Sequence, residues 1–147
     1  MQFTGSATIR APRQKVWDFV IDPAQVGQCG PGIESIEKID DRHYRAVAKV
    51  GVGFVSARFK GTLEIVDEEA PQRAVLKASG QAPGSAADAL TTMHLDEGAD
   101  PDTTEMRWIA EVSISGTLAS VGARLIEGTT NKLVGQTFDC IKAKLET

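Results

Sequence analysis

Residues 2–9 alternate, with Phe3, Gly5, Ala7 and Ile9 on one side and Gln2, Thr4, Ser6 and Thr8 on the other. A period of two predicts a strand with one buried face. Ala11-Pro12 ends it, and proline suits the first turn of a helix, where its missing N–H costs nothing. Val16, Trp17, Phe19 and Val20 predict a short helix over 13–21, broken at Asp22-Pro23. Residues 24–28 carry a further helical turn before Cys29-Gly30-Pro31-Gly32. From Ile33 the chain reads as about six strands. Tyr44, Ala46, Ala48, Val50, Val52 and Phe54 oppose His43, Arg45, Val47 and Lys49, and the phase shifts at Phe54-Val55. Val55, Ala57, Phe59, Gly61, Leu63 and Ile65 then alternate with polar residues. Strands over 73–79 and 89–95, a loop at 98–102 and a last alternation from Met106 to Ile114 follow.

After Gly116 the period becomes helical. Leu118, Val121 and Leu125 form one stripe and Val134, Phe138, Ile141 and Leu145 another, on nearly opposite faces at about 100° per residue. Either the helix kinks near Gly128, or its first half leans on a different surface from its second. The order strand, two short helices, six strands and a long helix predicts an α+β fold on an antiparallel sheet. With no linker, repeat or low-complexity tract, residues 1–147 are expected to form a single domain.

The inward positions are small. Of 28 assigned, eleven are Gly, Ala or Thr: Gly5, Ala7, Ala46, Ala48, Ala57, Gly61, Ala74, Ala78, Ala89, Thr91 and Ala110. A sheet covered by a helix needs large side chains to fill the ~10 Å between layers. Short ones leave either an apolar cavity or a core closed by Phe3, Tyr44, Phe54, Phe59, Met93, Met106 and Trp108.

Net charge is −4 and the pI about 5.2, which argues against a nucleic-acid partner, whose phosphates need a concentrated basic surface. The same balance argues against constitutive adsorption to anionic lipid. No apolar run is long enough to span a membrane and no signal-peptide pattern opens the chain. Cys29 and Cys140, far apart in sequence, read as separate thiols in a reducing compartment, hence the cytoplasm.

The runs Phe3-x-Gly5, Ala11-Pro12-x-x-x-Val16-Trp17, Asp22-Pro23 and Cys29-x-Pro31-Gly32 resemble the N-terminal signature of CoxG, the carbon monoxide dehydrogenase G-subunit family. Lys49-Val50-Gly51-Val52-Gly53, Ala57-Arg58-Phe59-x-Gly61, Gly116-x-Leu118-Ala119 and Gly122-x-Arg124-Leu125-Ile126 extend the resemblance nearly from end to end. It implies a START-like (SRPBCC) helix-grip fold: a curved antiparallel sheet of about seven strands around a long C-terminal helix. It also implies an apolar ligand, a quinone or lipid, in an accessory protein of a molybdenum hydroxylase of the CO dehydrogenase type, with no cofactor of its own. Many relatives continue into a membrane-seeking tail, whereas this chain ends at Lys144-Leu145-Glu146-Thr147, which favours a soluble carrier over an anchor.

Residues expected at the ligand are Trp17, Cys29, Pro31, Val52, Phe54, Phe59, Met93, Trp108, Leu125 and Phe138. Cys29 is either a lining or reactive thiol at the cavity mouth or a small apolar residue packed under the short helices. Trp17, Phe19, Leu118, Val121 and Leu125 are core or gate. No catalytic or metal constellation is legible: His43 and His94 fall on outward positions, the acidic clusters 40–41 and 67–69 sit at strand ends, and no zinc spacing occurs. Three functions remain open: a ligand-binding accessory protein, a cyclase- or aromatase-type enzyme, and a docking subunit with a filled core.

Overall fold

The computed structural model describes residues 1–146. Strand β1 (Gln2–Ile9) leads into helices α1 (Arg13–Val20) and α2 (Pro23–Val26) and a 3-10 turn, Gly27–Cys29. Six strands follow: β2 (Ile33–Lys38), β3 (His43–Val52), β4 (Val55–Glu69), β5 (Arg73–Ala82), β6 (Ser85–Glu97) and β7 (Thr104–Gly116). A second 3-10 turn, Thr117–Val121, precedes the long helix α3 (Ala123–Leu145). The strands form one seven-stranded sheet in the order β1-β7-β6-β5-β4-β3-β2, antiparallel at every step. Consecutive strands meet through short hairpins, and β1 returns beside β7, leaving the helices to cover the inner face.

Two expectations change at the hairpins. The phase shift at Phe54-Val55 is a two-residue turn, Gly53-Phe54, between the paired residues Val52 and Val55. Gly53 takes φ +59, a left-handed conformation that glycine adopts without steric cost and that tight hairpins need. The turn throws Phe54 outward to 87% exposure, so it does not line the interior. Pro83-Gly84 makes a similar turn, and β5 and β6 run on through residues 80–82 and 85–88, beyond the strand limits expected at 79 and 89.

The two stripes of the last segment also resolve. Gly116 and Gly122, both at positive φ, frame the 3-10 turn that carries Leu118 and Val121, so these residues precede α3 rather than share it. The helix is unbroken through Gly128. Ile126, not Leu125, is its buried residue at that end, and Leu125 is 46% exposed.

Two apolar clusters result. One joins Ile9, Val16, Trp17, Val20, Leu95 and Met106 to Ile141 and Leu145 of α3. The other joins Val52, Phe59, Leu118 and Ile126. The helix therefore leans on different surfaces at its two ends, the second of the two expected alternatives. Thr104 is the one fully buried polar side chain among the described residues, and its hydroxyl donates to the Ala11 carbonyl at 2.8 Å, leaving no polar atom orphaned.

The cysteines are joined. Cys29 in the 3-10 turn and Cys140 in α3 form a disulfide with Cα atoms 5.4 Å apart, across 111 residues of chain. The expectation of two separate thiols is thereby corrected: α3 crosses back over the short helices, a proximity that linear spacing does not show.

Candidate ligand cavity

Strand register assembles the small residues into a floor. Ala46 of β3 pairs with Gly61, Gly61 with Gly80, Gly80 with Ala87 and Ala87 with Ile114, a row across five strands. The neighbouring row runs Leu63, Ala78, Ala89, Val112. A β-carbon on Gly61 would collide with the Ser79 carbonyl, so glycine is demanded there by the approach of β5. Above these rows lies a chamber of about 730 Å³, walled by Phe59 and Leu118 and by Pro23, Val26, Gly27 and Gly30 of the short helices. A second chamber of about 340 Å³ lies beside it, between Phe3, Leu76, Met93, Trp108 and Ala110 of the sheet and Val134, Phe138 and Ile141 of α3. Val26, Thr91, Val112 and Thr137 border both.

Both chambers open to solvent, so an occupant can enter and leave without unfolding, and their apolar lining favours an apolar occupant over water.

Among the described residues, no charged side chain points inward. Thr62, Ser79 and Asp88 reach the larger chamber only through their main chain, because their side chains alternate to the outer face, where the Ser79 hydroxyl donates to the Asp88 carboxylate. The inward hydroxyls are those of Thr91, Thr130 and Thr137, and Thr137 donates to the Leu133 carbonyl at 2.8 Å.

Of the residues expected at the ligand, Phe59 walls the larger chamber, and Met93, Trp108 and Phe138 the smaller. Trp17 and Val52 are buried in the two clusters, outside both chambers. Cys29 is bonded, Pro31 is half-buried beyond the wall, and Phe54 and Leu125 are exposed. Thr130 and Thr137 were missed, although they share the spacing of Val134, Phe138 and Ile141; counting apolar residues alone hid them. Ala87 was missed because the strand was expected to begin only at Ala89, whereas β6 begins at Ser85.

Outside the cavity, His43 is exposed, with Nδ1 2.8 Å from Asp40 and Nε2 3.5 Å from Glu64. Its hydrogen bond to Asp40 holds its pKa above the ordinary 6.5. The stabilisation this pair contributes is present below that ordinary value and lost as pH rises through the folded one. Ring-proton NMR titration will place the His43 midpoint above 6.5, and Asp40→Asn will bring it down. Among the described residues, no group of three His, Cys, Asp or Glu side chains stands close enough to hold a metal ion. No helix among them is long and apolar enough to cross a membrane.

A conserved protein from Geobacillus kaustophilus superposes with a TM-score of 0.91 at 21% identity, over 99% of this chain and 95% of that one. The Zhui aromatase/cyclase from Streptomyces sp. R1128 gives 0.73 at 12% identity, over 99% and 93%. A START superfamily protein from Mycobacterium smegmatis gives 0.68 at 13% identity, over 99% and 97%. At these identities the likeness defines the fold alone: an α+β helix-grip like that of the START superfamily protein, with the antiparallel sheet packed around the C-terminal helix. No curated protein matches the chain. The family model of CoxG, the carbon monoxide dehydrogenase G-subunit, matches residues 5–146, and the chain belongs to that family.

Proposed function

We propose that this chain, one START-like unit over 1–147, is a non-catalytic accessory protein that holds a neutral apolar molecule, quinone-like or a neutral lipid, in its paired chambers. Its partner would be a molybdenum hydroxylase of the CO dehydrogenase type, which family membership supports, and a cytoplasmic address would require the Cys29–Cys140 bond to be reversible. The observation that carries the ligand reading is the adjoining pair of apolar chambers, into neither of which a charged side chain of the described residues is aimed. Their size suits ligands that occupy pockets of roughly 300–1,000 Å³. A fatty acid or phospholipid would bring a carboxylate or phosphate, and burying that charge unpaired costs several kcal/mol per ion. A neutral carbonyl or hydroxyl needs only a hydrogen bond, which Thr91 and Thr137 offer where the chambers meet.

A cyclase reaction, the activity named for the Streptomyces fold relative, needs groups that give and take protons. The side chains aimed into these chambers offer only threonine hydroxyls, and Tyr44, buried in the same sheet, borders neither. Extraction of the purified protein with organic solvent, followed by mass spectrometry in both ion modes, tests the reading. A neutral, chain-bearing or ring-bearing molecule near one equivalent is the expected result. A bound phospholipid or fatty acid would sink the neutral-ligand assignment. An empty extract, together with failure to bind an apolar dye, would leave a docking subunit.

A further inference from the structure

Residues 22–31 form a wall of the larger chamber through Pro23, Val26, Gly27 and Gly30. This wall is held in an unusual way. Its hydrogen bonds are local: Asp22 caps α2 by accepting from the amides of Ala24, Gln25 and Val26, Gln28 donates to the Ala24 carbonyl, and the Gly30 amide to Gly27. The one that leaves it, from the Ile33 amide to the Gly30 carbonyl, spans its own end. Among the described residues, that bond to the first residue of β2 is the only hydrogen bond or ion pair from 22–31 to the sheet, and none joins it to α3. Both flanks, by contrast, are pinned: the Ile21 amide donates to Trp17, and the Lys49 amide to the Gly32 carbonyl at 2.8 Å. The segment is a flap with fixed ends, seated by apolar contacts and by one covalent bond, Cys29 to Cys140.

That bond stands behind the cavity. Neither cysteine lines a chamber, but Gly30, next to Cys29, lines the larger, and Phe138 and Ile141, around Cys140, line the smaller. It therefore clamps the flap to the roof helix without touching the ligand space.

We propose that the Cys29–Cys140 disulfide is a redox latch: oxidised, it holds the 22–31 flap against α3 and slows ligand exchange; reduced by a dithiol, it frees the flap. Short segments with few hydrogen bonds to their surroundings are prone to open locally, and here the cross-link is the one bond, beside the apolar packing of Val26 and Cys29, that ties the flap to the long helix. In the reduction, a thiolate of the dithiol attacks Sγ of Cys140, the half-buried partner, since Cys29 is only 4% exposed. A mixed disulfide forms on Cys140 and Cys29 leaves as a thiolate that takes up a proton. The second thiolate of the reductant then closes on the first sulfur and releases Cys140, which is protonated in turn. Two electrons and two protons pass from the dithiol to the protein, and the reductant ends as its own cyclic disulfide.

The effect on ligand exchange rests on the carrier reading above, whereas the freeing of the flap does not, so two measurements separate them. The full chain is prepared oxidised and reduced with dithiothreitol, its thiols counted by alkylation and mass. Hydrogen exchange is followed over 22–31, and release of N-phenylnaphthylamine by stopped-flow fluorescence. Reduction is expected to speed both exchange in the flap and dye release by about tenfold or more, leaving β4 and β5 protected. Cys140→Ser and Cys29→Ala are each expected to match the reduced form in oxidising buffer and to ignore dithiothreitol. Two alkylatable thiols persisting after treatment with oxidised glutathione overturn the proposal, as does flap exchange equal in both forms. Faster flap exchange with unchanged dye release overturns the gating. Dye binding by neither form counts against the carrier reading, and flap exchange then decides the latch alone.

Discussion

Replacing Ala89 by phenylalanine will weaken binding of an apolar fluorescent dye by at least about tenfold, or 1.4 kcal/mol, without unfolding the protein. Ala89 lies at the centre of the chamber floor, paired with Ala78 on one side and Val112 on the other. The added ring has one direction to go, into the space a ligand would occupy. In a packed core such an enlargement costs about 1–3 kcal/mol through strain. Here it fills volume and covers apolar surface, so the urea midpoint will hold steady or rise. Dye titration and urea unfolding of the same sample check both halves. A variant that binds dye as before and unfolds early would mean that the floor is already occupied by the protein's own side chains.

Trp17→Ala will do the reverse, destabilising the fold by about 3–5 kcal/mol while dye affinity in the surviving native fraction stays within a factor of a few. The indole is 4% exposed and packs from α1 into the cluster of Ile9, Val20 and Leu95, away from both chambers. Against a total of roughly 5–15 kcal/mol, this is a loss that a urea or thermal midpoint registers at once. A Trp17→Ala protein of native stability with faster dye release would instead identify Trp17 as a gate.

These two residues show what could be read in advance. Ala89 was legible as an inward small residue because alternation along one strand needs no knowledge of its neighbours. Trp17 was legible as apolar and helical, but core and gate differ only in what the ring touches. Phe54 misled for a related reason. It continued the alternation of β3 in sequence, yet that strand ends two residues earlier, at Val52, where the positive φ of Gly53 begins the turn that sends the ring into solvent. The CoxG resemblance carried the fold further than periodicity did, since order and spacing of short motifs constrain the whole chain.

By itself, the chain determined its elements, the antiparallel α+β arrangement and the shortage of bulk on the inner face. Each of these follows from steric and solvation preferences over a few adjacent residues. Only the tertiary structure decided that Ala46, Gly61, Gly80 and Ala87 stand in one row, that the resulting space divides into two chambers, and that Cys29 meets Cys140. Those outcomes depend on strand register and on where a helix crosses, which are set by the packing of residues far apart along the chain and leave no mark on any local pattern.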